Sequence, residues 1–574
     1  MKHLSRLAAL LLAAVLLLGL LAGCGSKPAA TPGEDTPSPS TPSAPTDDST
    51  APSTDDTAPA DDGTTVSENW LPLTDELVTM TAWGSQANSY DPNLKTEDTA
   101  FFRWAEAQTN VRTEWTMVSS ATMSEQFNLM MVSGNYDDMI YMQARYYPNG
   151  LANAIDEEVI VDLTDYVEGG TAPHYQALRM SDEKIRMDTM LDGGTIPGFY
   201  RILDSEQCSW LGWAVNTKMA ADAGYDDVDS LRTVEDYHQM FKAMAALDYT
   251  AFACDTSSSG MDNILLATFD IPRGYSYDNN FRHVGNQIEY NYTTQDFYNY
   301  LTTMRQWYEE GIFRSDFYGG SWVTIFNDAD KDTIASGGVG CLQSLITYVP
   351  ILTDLSGCEY RAVAGPLQEG RTARNVSQTD AAFSRVETVF MSISTACEDP
   401  ALAVRYLDFF YSDEAFLAKN YGAPIDEPTY TFTDDGDPML TPFMTDNPDG
   451  YTLSQMMSNY GCFFLVGRYD WNYMRNNMDD SAKHAVEIWD INWDRDADLY
   501  TLPQLMLSQT EAETYSTTYN DIQTYVTEMV LKFIIGQESL DEASYARYCE
   551  NIKAMNIQTC IDMVQAAYDR YLER

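Results

Sequence analysis

The chain predicts an α/β fold of at least two lobes with a helical C-terminal region. Three observations predict it. From about residue 77 the pattern runs strand, helix, strand, helix, strand, the order that builds a parallel sheet with helices on its faces. About 500 residues follow a polar leader segment, more than one ordinary core holds. The stretch from Tyr515 to the end keeps helical spacing almost throughout.

Taken in order, Leu77-Val-Thr-Met-Thr-Ala-Trp-Gly84 reads as the first strand. A helix over about 98–110 precedes a strand over Val111–Val118. Met123–Val132 reads as a helix closed by Gly134, which tolerates the left-handed cap conformation. Asp137–Met142 is the third strand. Ligands of such sheets bind beyond the carboxyl ends of the strands, which puts 83–86 and 142–145 on one rim. Trp210–Lys218 is another apolar run ending in polar residues. Thr233 with Asp236 forms a capping box ahead of Tyr237, Met240, Phe241 and Met244 at helical spacing. Val386–Ser394 reads as a strand and Pro400–Tyr411 as a helix. Tyr515–Ile535 is an amphipathic helix ending at Gly536, and Ser539 with Glu542 suggests a further capping box. Asn556 between the last two stripes can take a left-handed turn.

The first 66 residues have a different character. Lys2 and Arg6 precede an apolar run from Leu7 to Leu21, an export signal too short for a comfortable span of about 20 residues. The run closes on Leu21-Ala-Gly-Cys24, which resembles the lipobox of bacterial lipoproteins. That resemblance implies cleavage after residue 23, acylation (palmitate) of the Cys24 thiol, and a chain held at the outer face of the cell membrane by lipid. Residues 24–66 are Pro, Ser, Thr, Ala, Gly and Asp, too poor in apolar groups to offset their ordering entropy. Such a linker spans on the order of 35 Å, which suits a tether. The formal net charge is -52; with +2 in the leader and -7 in the linker, the remainder carries -47. Phosphate backbones are poor partners for that surface, so no nucleic acid is expected.

Chemistry of the catalytic kind is sparse. His174, His238, His283 and His484 form no zinc-helix spacing, and no nucleophile elbow, Walker loop or dinucleotide fingerprint occurs. Asp494, Asp496 and Asp498 alternate like the start of a calcium loop, but Leu499 and Leu505 stand where its glycine and glutamate belong, so no metal and no cofactor are expected. The eight cysteines after Cys24 contain no C-x-x-C pair.

Several segments together resemble the extracellular solute-binding proteins, family 1, of ABC importers, in their larger sugar-binding branch related to the LplA-type lipoproteins. They are Gly150-Leu-Ala-Asn-Ala-Ile-Asp-Glu-Glu-Val-Ile-Val-Asp-Leu-Thr-Asp165, Ala214-Val-Asn-Thr-Lys218, Trp307-Tyr-Glu-Glu-Gly-Ile312, Asp399-Pro-Ala-Leu-Ala-Val-Arg-Tyr-Leu-Asp408 and Lys532-Phe-Ile-Ile-Gly-Gln-Glu-Ser539. The stretch Asn420-Tyr-Gly-Ala-Pro-Ile-Asp426 departs from the family pattern, which continues Asn-Tyr-Gly with a Glu-Gly-containing segment. The resemblance implies a two-lobe, periplasmic-binding-protein-like type II fold with an interlobe cleft. By analogy lobe 1 takes about 75–205 and 387–445, and lobe 2 about 206–386 and 446–574. It implies a monomer that is not an enzyme, with a sugar ligand and the transmembrane subunits of an ABC permease as partners. A peptide or other solute as ligand, a ligand-sensing lipoprotein, and a surface glycoside-active enzyme are the alternatives.

The aromatic content fits a sugar site. Sugar rings lay apolar C–H faces on aromatic rings, while their hydroxyls need planar donors and acceptors. Trp83, Tyr141, Trp210, Trp213, Trp322, Trp471 and Trp493 fall near predicted strand ends or loops, and Gln86, Gln143, Arg145 and Gln343 are the polar partners expected beside them. Trp83, at a strand end, and Trp210, at the lobe crossing, are the leading candidates for a stacking platform.

Overall fold

A computed structural model describes residues 70–574 except 86–93, 120–121, 144–146, 148–149, 206–208, 255–262, 273–279, 320–332, 378–383, 447–449, 463–464, 477 and 496–499. Cys24, Gln86, Arg145, Cys208 and Trp322 lie outside the described residues, as do the leader, the linker, Asp496 and Asp498.

Fourteen strands are described: β1 (Val78–Ser85), β2 (Val111–Val118), β3 (Met139–Gln143), β4 (Phe199–Leu203), β5 (Leu211–Asn216), β6 (Thr250–Ala253), β7 (Phe281–Val284), β8 (Gln287–Tyr290), β9 (Val339–Leu345), β10 (Tyr360–Val363), β11 (Val386–Ile393), β12 (Tyr430–Phe432), β13 (Pro438–Leu440) and β14 (Gly467–Tyr469). Six of them form the lobe 1 sheet in the order β14-β4-β11-β3-β1-β2, and four the lobe 2 sheet in the order β10-β5-β9-β6. β1 runs parallel to β2 and β3, as the alternating pattern predicts. β11 runs antiparallel between β3 and β4, while β14 is parallel to β4. In lobe 2, β5 is antiparallel to β9 and β10, and β6 is parallel to β9. This is the two-lobe α/β fold expected of the type II class.

Local chemistry sets the element ends. Asn110 ends the helix Ala100–Thr109 in the left-handed region (φ 56), letting β2 start one residue later. Gly134 (φ 68) closes the helix Met123–Ser133 as expected. The Thr233 hydroxyl accepts from Asp236 N at the head of the helix Val234–Ala245, and the Asp236 carboxylate accepts from Thr233 N at 2.8 Å. At the third-last helix, Gln509–Ile535, Ser508 and Glu511 make the reciprocal cap. The cap expected at Ser539–Glu542 is instead Asp541 with Ser544: the Asp541 carboxylate accepts from Ser544 N at 2.8 Å, a charged acceptor at the positive helix end.

Each lobe has its own core. Lobe 1 packs Phe101, Phe127, Ile140, Tyr175, Phe199 and Leu407 around its sheet; lobe 2 packs Tyr237, Phe241, Phe252, Trp307 and the apolar faces of the last three helices. One boundary differs from the expectation. Two elements expected in lobe 2 pack with lobe 1: the helix Leu453–Tyr460 sets Met456, Met457 and Tyr460 beside Tyr421 and Met444, and β14 adds an edge strand next to β4. Among the described residues no helix is long and apolar enough to cross a membrane. Five of the seven described cysteines are buried.

Candidate functional site

Three chain crossings join the lobes: after β4, before β11 and after β14. β11 is antiparallel to its neighbours, so its amino end lies beside the carboxyl ends of β1, β3, β4 and β14. Likewise the carboxyl ends of β6, β9 and β10 lie beside the start of β5. The strand ends that present ligand contacts in such sheets therefore meet at the junction from both sides.

The lobe 1 side is tied into a polar knot. Arg385 Nε and Nη2 donate to the carbonyls of Leu203 and Asp204, each at 2.9 Å, joining two crossings. Asp204 N donates to Tyr469 O at 2.9 Å, joining the third. Arg468 reaches the Asp204 carboxylate at 3.0 Å and Asp413 at 2.6 Å. The Asn-Tyr-Gly stretch serves the same knot, since Asn420 Oδ1 accepts from Asp470 N and Tyr421 OH donates to the Asp470 carboxylate. Arg201, from the middle of β4, pairs with Glu387 near the start of β11 (Nε to Oε2 2.8 Å, with Nη2 on the same oxygen) and lies over the Tyr469 ring at 5.2 Å. Both members of the pair keep about a fifth of their side chains in solvent, 21% and 23%. The fully buried Lys419 also stands by Tyr469, its Nζ 5.8 Å from the ring centre and 3.5 Å from Arg468 O. Burial, with Arg201 adding to it, pushes the Lys419 ammonium down to about 7.

On the lobe 2 side the Asp490 carboxylate accepts from Ser209 N at 3.0 and 3.2 Å, and Ser209 and Ser377 hydroxyls meet at 3.3 Å. Trp210 O accepts from Ile346 N at 3.0 Å, so the first crossing enters the sheet beside the end of β9. The Trp210 ring meets Trp471 edge to face at 4.9 Å, bringing the first and third crossings into contact. Trp471 is buried, whereas Trp210 keeps an exposed part. Arg495 pairs with Asp490 at 2.6 Å and lies on the Trp493 ring at 4.4 Å. Behind it Arg374 is 1% exposed and donates to Trp489 O at 3.2 Å; burial lowers its guanidinium to about 10.

The residues expected at the site separate into two groups. Trp210, Trp471, Gln343 and Tyr141 lie on segments that end at the junction, and Trp493 stands at an isolated bridge to Arg374; of these, Trp471, Tyr141 and Trp493 are buried. Gln343 is half-buried on β9, and Tyr141 is close enough for its phenol to act on the Arg201 guanidinium. Gln143 is the last residue of β3. Trp83 and Trp213 are corrections. Trp83 is 3% exposed and packs on Phe127 at 5.9 Å; Trp213 is wholly buried, stacked on Phe252 at 5.2 Å and edge-on to Tyr237 at 5.4 Å. Both sit on strands covered by helices, so a ring short of the strand end points into the core rather than the cleft. Sequence reasoning missed Arg201 and Glu387. The available signal was a single charge inside each of the apolar strands Phe-Tyr-Arg-Ile-Leu and Val-Glu-Thr-Val-Phe.

Among the described residues no group of three or more His, Cys, Asp or Glu is placed to hold a metal ion. A polar groove of 560 Å³ lies elsewhere on lobe 2, between the β7–β8 hairpin and the last helix; none of its lining residues belongs to a crossing.

The fold is similar to that of solved solute-binding proteins, among them an HMO-binding, ABC-transporter-associated one from Bifidobacterium longum infantis that matches 86% of this chain and 99% of its own, at TM-score 0.66 and 14% identity. An extracellular solute-binding protein from Bifidobacterium longum subsp. infantis matches 86% of this chain and 98% of its own, at TM-score 0.67 and 15% identity. The alginate-binding protein AlgQ2, solved without calcium ion, matches 87% of this chain and 99% of its own, at TM-score 0.62 and 17% identity. Among curated proteins, lipoprotein LipO of Bacillus subtilis is 22% identical over 238 residues, 39% of this chain. The match spans only 43% of LipO. No family model matches the chain.

Proposed function

We propose that the chain is the lipid-anchored, extracytoplasmic substrate-binding component of an ABC importer, taking an oligosaccharide at the interlobe junction and delivering it to the permease. The observation that carries this reading is the junction itself: a partly exposed tryptophan, Trp210, lies edge to face on Trp471 where the first and third crossings come together, beside the end of β9. Trp210 supplies a face for sugar C–H groups, and Gln343 and the Arg201–Glu387 and Arg495–Asp490 pairs supply planar donors and acceptors. Closure of the lobes on the ligand is a hinge motion biased by better contacts in the closed form. Solved neighbours named for alginate and for HMO binding, and the lipoprotein LipO, support a carbohydrate ligand and a lipid anchor. Cys24 is the acylated residue on this reading, and Cys24→Ala abolishes incorporation of a labelled fatty acid.

The experiment is a thermal-shift screen of residues 67–574 against mono- and oligosaccharides and peptides, because a ligand at a hundred times its Kd stabilises by about 2.7 kcal/mol. Trp210→Ala then weakens the cognate sugar by about 30-fold, the scale of a buried aromatic contact of about 2 kcal/mol, while leaving the melting temperature near that of the parent. A response to peptides alone refutes the carbohydrate ligand.

A further inference from the structure

The lobes meet a second time where the end of the last helix, Ile557–Leu572, reaches lobe 1. Tyr571 belongs to the lobe 2 core, whereas Ile185, Met190 and Leu191 of the segment it meets belong to the lobe 1 core. Asp192 Oδ1 accepts from Arg574 Nε and Nη2 at 2.9 and 2.7 Å, and its Oδ2 accepts from Arg570 Nε at 2.9 Å. Arg570 Nη2 also pairs with Glu511 at 2.7 Å, so two carboxylates balance two guanidinium groups. Asp188 Oδ1 accepts from Tyr571 OH at 2.7 Å. The backbone joins in: Arg574 Nη1 donates to Met187 O at 3.3 Å, and Arg186 Nη1 donates to Arg574 O at 2.5 Å.

The same cluster touches the crossings. Asp188 Oδ2, the oxygen not used by Tyr571, accepts from the Ser384 hydroxyl at 2.5 Å. Ser384 precedes Arg385, whose guanidinium holds the Leu203 and Asp204 carbonyls of the first crossing. One carboxylate therefore ties the last helix of lobe 2 to the chain that passes between the lobes. We infer that this helix end is the fixed pivot of the two lobes: Arg570, Tyr571 and Arg574 stay bonded to Asp188 and Asp192 while the lobes swing, and together with the crossings they set the axis of that swing; this rests on the hinge closure in the reading above. Two arguments carry it. Points beside a hinge move least, and Asp188 is one hydrogen bond from the second crossing. Breaking the cluster is costly, because Arg574 is 2% exposed and its guanidinium has three bonds to lobe 1 to lose. Without the cluster the lobes hang on the crossings alone and can twist as well as open.

Pulsed EPR distances on residues 67–574 without ligand test this, with labels on encoded p-acetylphenylalanine so that the cysteines play no part. Glu183 and Leu572, both exposed, report the pivot. Val132 and Leu247, also exposed, report the swing: they stand ahead of the amino ends of β3 and β6, away from the junction, where a rotation gives the largest displacement. The expected parent has a narrow pivot distance and a swing distribution at least about twice as wide. Asp192→Asn and Arg574→Ala each widen the pivot distribution about twofold, and the swing distribution widens with it. A parent whose pivot distribution is as wide as its swing distribution overturns the inference. So does a pivot distance that stays equally narrow in the folded variants, since a melting temperature that falls without any change in width marks a contact that only stabilises. None of these outcomes reads a ligand; the carbohydrate reading fails separately, when the thermal-shift screen gives no response to any sugar.

Discussion

Gly212→Ala is a single-methyl perturbation whose cost follows from the geometry behind the junction. Gly212 lies in β5 opposite Ser344 of β9, and a Cβ placed there meets Cδ2, Cε2 and Cγ of Trp489 at 2.0 to 2.2 Å. The ring has nowhere to retreat. Trp489 is fully buried, its Nε1 donates to Trp213 O at 3.0 Å, and its carbonyl receives Arg374 Nη2 at 3.2 Å. Forcing one methylene into such a core costs about 1–3 kcal/mol, and losing the indole bond costs about 1–3 kcal/mol more. The smaller unfolded-state entropy of alanine returns about 0.4–1 kcal/mol. The net expectation is a loss of about 3 kcal/mol. It is measured by urea unfolding of residues 67–574, and a double-mutant cycle with Trp489→Ala supplies the check. Trp489→Ala alone costs about 3–5 kcal/mol, but it removes the clash, so Gly212→Ala adds almost nothing in that background. A Gly212→Ala loss below about 0.5 kcal/mol, or one undiminished by Trp489→Ala, refutes the steric account.

Three further outcomes are expected. Lys419 is lowered to about 7, so between about pH 7 and 10 the unfolded chain holds a proton that the folded chain lacks, and stability rises with pH; Lys419→Met removes that slope and is about 2–4 kcal/mol more stable than the parent at pH 7 by chemical unfolding. Arg574→Ala removes a 2% exposed guanidinium, from the segment that follows the last helix of lobe 2, that meets Asp192 of lobe 1 at 2.7 Å; it costs about 1–3 kcal/mol, and Asp192→Asn on top of it adds little. Deleting residues 25–66 leaves the melting temperature unchanged within about a degree, whereas Trp70→Ala, which loses ring contacts to His174 at 4.7 Å and Phe409 at 5.9 Å, costs about 1–2 kcal/mol by the same melt.

The lobe 1 strands were legible because local pattern and local cap agree. β2 begins where Asn110 turns, and Gly134 ends the helix ahead of β3; each boundary is written in one or two residues. The lobe 1 packing of the helix Leu453–Tyr460 and of β14 was not legible. β14 is three residues long, Gly467-Arg-Tyr469, too short to show a period of two, and its partner β4 lies more than 260 residues earlier. Gly467 also holds φ 113 with the Phe410 carbonyl at 2.4 Å from a would-be Cβ, a close approach that marks lobe 1 packing but looks like any turn glycine in the sequence. The misplaced cap at Ser539 has a similar cause: two acceptors stand two residues apart, and only the backbone conformation at Asp541 decides between them.

The tryptophans show why a cleft is harder to read than a strand. A ring near a strand end satisfies the same pattern whether a helix covers it, as at Trp83 and Trp213, or part of it stays exposed, as at Trp210. Charge within an apolar strand discriminates better. Burying Arg201 or Glu387 alone in β4 or β11 costs several kcal/mol, so each can stand there only with a partner across the sheet and some access to water. The two charges stand on adjacent antiparallel strands of the lobe 1 sheet, Arg201 in β4 and Glu387 near the start of β11, close to the ends where those strands lead to the crossings. The crossings are knotted on each side, by Arg385, Asp204 and Tyr469 in lobe 1 and by Ser209, Asp490 and Ser377 in lobe 2. The Arg570 and Arg574 contacts to Asp192 lie across the same divide, and any rotation between the lobes has to carry them along or break them.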